Sequence, residues 1–146
     1  MTAYADTSFV ISWFVPDANH AAAIAHLYAT KGPARLPWTP WNALEFNNSV
    51  RALTARGVLS AASLKPLAAQ VRSAIGAGDL VATPLPAYRW WLKAESLSHA
   101  HTVQLNVRTL DLLHVAAASL LGAREFWTFG QRQRTLATAS GLKVGP

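Results

Sequence analysis

Apolar positions along the chain follow two rhythms. Short apolar runs near Tyr4, at Arg35–Trp38, at Leu80–Thr83 and at Phe126–Phe129 are bounded by turn residues and read as strands. Between them, apolar residues recur at three- and four-residue intervals, the pattern of amphipathic helices. Tyr4 and its neighbours predict a brief strand that ends at Asp6. Ser8–Trp13 starts a short helix, broken by Pro16-Asp17. Asn19–Lys31 is Ala-rich and helical, closed by Gly32-Pro33. Thr39 fits an N-cap with Pro40 at the first helical position, for a helix running to about Arg56 and stopping at Gly57. Leu64, Leu67, Val71 and Ile75 mark the next helix, with Ser63 as its cap and Pro66 in its first turn. Gly76-Ala77-Gly78 then turns the chain into the strand at Leu80. Pro86 to about His101 is helical, and Thr109 caps a helix over Leu110–Leu121 that ends at Gly122. A helix over Gln131–Ser140 and a last strand at Lys143-Val144 complete the reading.

Strands alternating with helices predict βαβ units and a mostly parallel sheet covered on both faces, a three-layer α/β/α, Rossmann-like arrangement. No repeat, linker or low-complexity tract divides the chain, so residues 1–146 are expected to form one domain. In such sheets a ligand sits beyond the carboxyl ends of the strands.

Composition narrows the chemistry. A hydrophobic share of 51% excludes a disordered tail protein, and the absence of cysteine excludes disulfides and thiolate metal sites. Met1–Asp6 lacks the basic start of a signal peptide, and the apolar stretch Phe9–Pro16 is too short to span a bilayer, so a cytoplasmic protein with no membrane partner is expected. Lys and Arg number 13 against 7 Asp and Glu, a formal charge of +6, which favours an anionic partner such as nucleic acid or an acidic protein. Any carboxylate site must be drawn from Asp6, Asp17, Glu45, Asp79, Glu95, Asp111 and Glu125.

Three of these stand in suggestive places. Asp6 ends the first strand, where a carboxylate faces the ligand crevice, although it also suits a helix N-cap. Glu45 lies in a polar stripe with Asn42, Asn48 and Ser49 at helical spacing, while Leu44, Val50 and Leu53 belong to another face. Asp111 falls in the first turn of its helix, where the macrodipole favours an anion. His114, one turn further along the same face, reads more simply as a packed histidine. His99-x-His101 places two imidazoles on different sides of a helix and does not suggest chelation. Trp90 and Trp91 cannot both point inward, which leaves one for a partner. There is no Walker sequence, Gly-x-Ser-x-Gly elbow or His-Glu-x-x-His. A phosphatase with Asp6 as nucleophile lacks the second aspartate two residues on, where Ser8 stands.

In order along the chain, Ala5-Asp6-Thr7-Ser8, Leu44–Ser49 with Arg56–Ser60, Arg108–Ala118 and Phe126–Gln133 with Gly141–Val144 resemble the motifs of the PIN domain, specifically the VapC-type toxin ribonucleases. The resemblance implies a magnesium-dependent endoribonuclease of a toxin–antitoxin pair, with Mg2+ (or Mn2+ in its place) held by Asp6, Glu45 and Asp111 as catalytic and metal-binding residues. It implies Ser8, Thr128 and Asn48 as supporting polar groups, single-stranded or structured RNA as substrate, a cognate antitoxin, and a homodimer. One position departs: where the family carries a fourth acid after the fourth strand, this chain has Gly130, and no acid follows Glu125. That departure implies a weak or inactive enzyme, or a degenerate domain that binds RNA or an antitoxin-like partner without cutting.

Overall fold

In a computed structural model of the protein, which describes residues 3–146, the first strand, β1 (Ala3–Ala5), is wholly buried. Asp6 ends it and caps the next helix, α1 (Thr7–Phe14), accepting the Phe9 amide at 2.9 Å. Then come α2 (His20–Tyr28), β2 (Leu36–Trp38) and α3 (Pro40–Ala55), whose start is capped by Thr39 with Pro40 in the first turn. A 3-10 turn at Ala61–Ser63 leads into α4 (Leu64–Ala77), β3 (Leu80–Ala82) and α5 (Ala87–Leu105). The chain closes with α6 (Thr109–Leu120), β4 (Glu125–Trp127), α7 (Gln131–Ala139) and β5 (Lys143–Gly145).

All strand pairs are parallel. β4 lies between β1 and β5, with Tyr4 opposite Phe126 and Ala5 opposite Trp127. β2 pairs with β3 in a separate two-stranded ladder whose β2 edge runs close beside β1. Adjacent residues of a strand face opposite sides. Phe126 and Tyr4 therefore enter a core with Trp90, Leu97, Leu113 and Leu136 from α5, α6 and α7. Trp127, Ala3 and Ala5 enter a second core with Phe9, Phe46, Val50 and Leu67 from α1, α3 and α4. Helices thus cover both faces of a parallel sheet, as the alternation of elements predicts. Helix α6 is buried all round at Ala116, Ala117 and Ala118, where small side chains let neighbouring elements approach closely.

Several boundaries differ from the sequence reading, each for a local reason. α4 runs through Gly76, and the turn is made by Gly78 alone, at φ +81°. Gly78 N reaches Ile75 O at 3.1 Å and Asp79 N reaches Ala74 O at 3.0 Å, which satisfies the last carbonyls. Gly78→Ala should destabilise the fold by roughly 1–2 kcal/mol, the cost of a Cβ in the left-handed region, measured by urea unfolding. α5 continues past His101 to Leu105 because Asn106 supplies the left-handed stop, at φ +48°. α2 stops at Tyr28, and the Thr30 hydroxyl takes up Leu27 O at 2.7 Å. Thr109 is the first residue of α6 and not its cap, a position that Arg108 occupies. β4 ends at Trp127, so Thr128 and Phe129 lie beyond it. In α3, Leu44 is 61% exposed while Asn42 is buried, the reverse of the expected faces. Trp90 is buried and Trp91 exposed, so the pair does divide. No helix among the described residues is long and apolar enough to cross a membrane.

Candidate active site

One open pocket of about 970 Å³ lies at the carboxyl end of β1, beside α3 and the starts of α6 and α7. Asp6, Glu45, Asp111, Ser8, Asn48 and Gly130 all line it. Residues far apart in sequence are thus brought to one end of the sheet. Thr128 stands just beneath, in contact with Asp6.

Asp6 forms the floor, with 0% of its surface exposed. Its Oδ1 accepts the Ser8 hydroxyl at 2.7 Å and the Phe9 amide at 2.9 Å, and Oδ2 accepts the Thr128 hydroxyl at 2.6 Å. Ser8 and Thr128 are held in turn by backbone amides, of Phe129 at 3.0 Å and Gly130 at 2.8 Å. Burial pushes the Asp6 carboxyl above the usual range, opposed in part by the nearby His114 and by the three hydrogen bonds. An anion kept in such a place is supported by fixed donors, and a cation in the pocket would add to that support.

Glu45 projects from α3 into the side of the pocket, with a fifth of its side chain (21%) exposed. Burial pushes its carboxyl up, but the hydrogen bond and the electrostatic attraction of His114, with the hydrogen bond from Thr7, outweigh that and hold it below the ordinary value. Both donors meet Oε2. Asp111, half-buried in the first turn of α6, accepts the Arg108 amide on Oδ2 at 3.0 Å. Its capping role and its place on the pocket wall coexist, as they do for Asp6. Asn48 is exposed on the wall. Glu125 starts β4 and is absent from the pocket lining. The Trp127 indole N–H holds its carboxyl below the usual range.

Gly130 is the first cap of α7, with an ordinary φ of −82°. A Cβ built there would lie 3.3 Å from Thr128 Oγ1 and 3.3 Å from Gln133 Oε1, so a side chain would leave toward the hydroxyl that touches Asp6. Nothing in the backbone demands glycine.

Three positions important to the site were undervalued in the sequence. His114 is packed, with 0% exposed, yet it also grips Glu45. Thr7 grips the same carboxylate, and Tyr4 contacts the far side of the imidazole. The available signal was position: His114 lies three residues after Asp111 on one helix, and Tyr4 two before Asp6 on one strand. Arg56, Arg108 and Arg132 also line the pocket, and among the described residues none pairs with a carboxylate.

The donor set is all oxygen, which suits a hard divalent cation such as Mg2+ or Mn2+. Glu45 keeps Oε1, Asp111 keeps Oδ1 and Asp6 keeps one lone pair of Oδ2 free of protein donors. Among the described residues, however, no three acids or imidazoles stand together as a closed ligand group. The assembled three-carboxylate cage is therefore not preformed. A shared open pocket fits an ion that retains several of its waters.

No protein-family model matches the chain, and neither does any curated protein sequence. Among solved structures, it is similar to VapC20 of Mycobacterium tuberculosis, a sarcin-ricin loop cleaving toxin. The two are 19% identical, with a TM-score of 0.69 over 99% of this chain and 100% of that one. The likeness extends over the whole of both chains, and this chain shares the fold of that protein.

Proposed function

We propose that the protein is a metal-dependent endoribonuclease of the toxin–antitoxin kind, working at the Asp6–Glu45–Asp111 pocket and weakened by Gly130. The observation that carries this reading is that Asp6, Glu45 and Asp111, from separate segments, line one pocket together with Asp17 and with three arginines that among the described residues have no acidic partner. Carboxylates that line one pocket make its potential negative, which favours a cation there. Unpaired arginines around them suit a phosphate chain, which needs positive charge nearby but not on the acids themselves.

A bound Mg2+ or Mn2+ would supply Lewis-acid polarisation of the phosphate and a water acidic enough to attack it. Asp6 and Asp111 would hold the ion, with Glu45 binding directly or through water. Ser8 and Thr128 fix the Asp6 oxygens, and the pocket arginines hold the RNA backbone in line. Water oxygen bonds to phosphorus, the P–O3′ bond breaks and the 3′ oxygen takes up a proton, leaving a 5′-phosphate and a 3′-hydroxyl.

The test is cleavage of two end-labelled RNAs, a sarcin-ricin loop hairpin and an unstructured strand, with Mg2+, with Mn2+ and with EDTA. Slow cutting that stops in EDTA is expected. Binding without cutting, even after an acid is restored at position 130, would support the rival reading of a degenerate RNA- or antitoxin-binding domain. Arg108→Ala and Arg132→Ala should each weaken RNA binding and flatten the dependence of log affinity on log salt by roughly 0.7, the loss of one single-strand phosphate contact. Unchanged salt slopes would remove these arginines from the RNA path.

A cytoplasmic location and an antitoxin that covers the pocket belong to the same proposal. So does a homodimer, for which the exposed Tyr88, Trp91, Leu92 and Val103 of α5 offer an apolar surface. Sedimentation at tens of micromolar (a range set by typical micromolar association) should show twice the chain mass; a monomer would count against it.

A further inference from the structure

The hydrogen bonds behind Glu45 run in one direction, from the core to the pocket. Thr39 approaches Asn42 Oδ1 with its amide at 3.2 Å and its hydroxyl at 2.5 Å, which marks that atom as the acceptor end of the Asn42 side chain. Asn42 Nδ2 then donates to Tyr4 Oη at 3.1 Å. With that lone pair taken, the tyrosine proton is free for His114 Nδ1, 2.9 Å away. Nδ1 accepts, so the imidazole proton sits on Nε2 and points at Glu45 Oε2.

The alternatives break this order. A proton on Nδ1 alone would set the Nε2 lone pair against a carboxylate oxygen. Protons on both nitrogens would leave the tyrosine hydroxyl, which is wholly buried, with no acceptor for its own proton among the described residues.

We propose that Asn42 and Tyr4 are positioning residues that hold His114 with Nδ1 toward Tyr4 Oη and Nε2–H toward Glu45 Oε2, and that His114 with Thr7 pins Glu45 Oε2 so that only Oε1 is offered to the pocket. What Glu45 then does rests on the ribonuclease reading; the locking does not. Asn42, Tyr4 and His114 are 1%, 0% and 0% exposed, so none of them can reach RNA. Their influence passes through the orientation of one carboxylate, and a misplaced catalytic group costs rate even when binding is intact.

Two measurements test this on the whole 146-residue chain. The first is a long-range proton–nitrogen NMR spectrum of the imidazoles at pH 7.5. The His114 signals should be those of the Nε2–H tautomer, and Tyr4→Phe should shift them toward a tautomer mixture. An Nδ1–H or doubly protonated ring in the parent, or an unchanged ring in Tyr4→Phe, overturns the lock.

The second is cleavage in a Gly130→Asp background. Tyr4→Phe and His114→Leu should each lower kcat about 10–100-fold, the usual loss for a partner that orients a metal-site group. KM for RNA should hardly change. His114→Gln, whose amide can still donate to Glu45, should recover most of the rate, and it carries the comparison if Tyr4→Phe does not fold. An unchanged kcat in His114→Leu, or His114→Gln no better than His114→Leu, overturns the positioning role. If the background protein itself never cuts, the ribonuclease reading fails, and the spectra alone decide the lock.

Discussion

Gly130→Asp is expected to raise both Mg2+ affinity and the rate of RNA cleavage by about 10–100-fold, the scale on which contacts around metal sites act. The backbone at position 130 is already suitable for any residue, and a new side chain leaves toward Thr128, the hydroxyl bonded to Asp6. Thr128 Oγ1 and Gln133 Oε1 are tight neighbours at 3.3 Å, and the far end of Gln133 can swing away. The aspartate would repeat the double role of Asp6, with one oxygen capping α7 and the other facing the pocket. Gly130→Asn is the control. Asparagine caps a helix as well as aspartate does, gaining a few tenths of a kcal/mol over glycine, but it brings no charge. Without metal, the asparagine variant should therefore melt higher, because a carboxylate there repels Asp6; with saturating Mg2+ the order should reverse. Equal Mg2+ affinity in the two variants would place position 130 outside the site.

Asp6→Asn should abolish cleavage, at least to the 10²-fold level that marks the upper range for losing a supporting contact, and should stabilise the fold. The folded-state carboxyl titrates above its unfolded value, so the native chain binds the extra proton over that interval. Stability from this group is thus fully present below the unfolded value and declines as pH rises through the raised one. Asparagine removes the decline. The change also has a ready hydrogen-bond solution. The amide nitrogen introduced at position 6 can donate to Thr128 Oγ1, whose proton turns to Gln133 Oε1, already 3.2 Å away. The gain in Tm over the parent should therefore be larger at pH 8 than at pH 4, by differential scanning calorimetry in EDTA. A variant less stable than the parent at both pH values would mean that Asp6 is held mainly as a helix cap.

Much of the architecture was legible in the sequence because the signals were local. Thr39-Pro40 starts α3, Gly57 and Gly122 follow helices, and alternating short runs give the parallel strands. That Asp6, Glu45 and Asp111 line one pocket was legible because strand ends and helix first turns have fixed positions in a parallel α/β fold. What stayed hidden depends on contacts between segments. Asn42 looks like part of a polar stripe, and only the proximity of Tyr4 and Thr39 explains its burial. His114 looks like a packed residue and is one, but its Nε2 faces a carboxylate from a helix 69 residues earlier in the chain. The faces of α3 were misread at Leu44 because hydrophobicity alone does not say which side the sheet lies on. Which carboxylate oxygens face the pocket was equally invisible, since side-chain commitments to Arg108, Thr7 and His114 decide which remain.

With Phe126 turned to one core and Trp127 to the other, no plane of weakness separates the halves of the molecule. β1 and β4 are a party wall shared by both, and Asp6 and Thr128 are set into the end of that wall. A loosening that begins among α5, α6 and α7 is felt at once among α1, α3 and α4, and the carboxylates lose their common address in the same event. The pocket is therefore as durable as the whole fold and no more so.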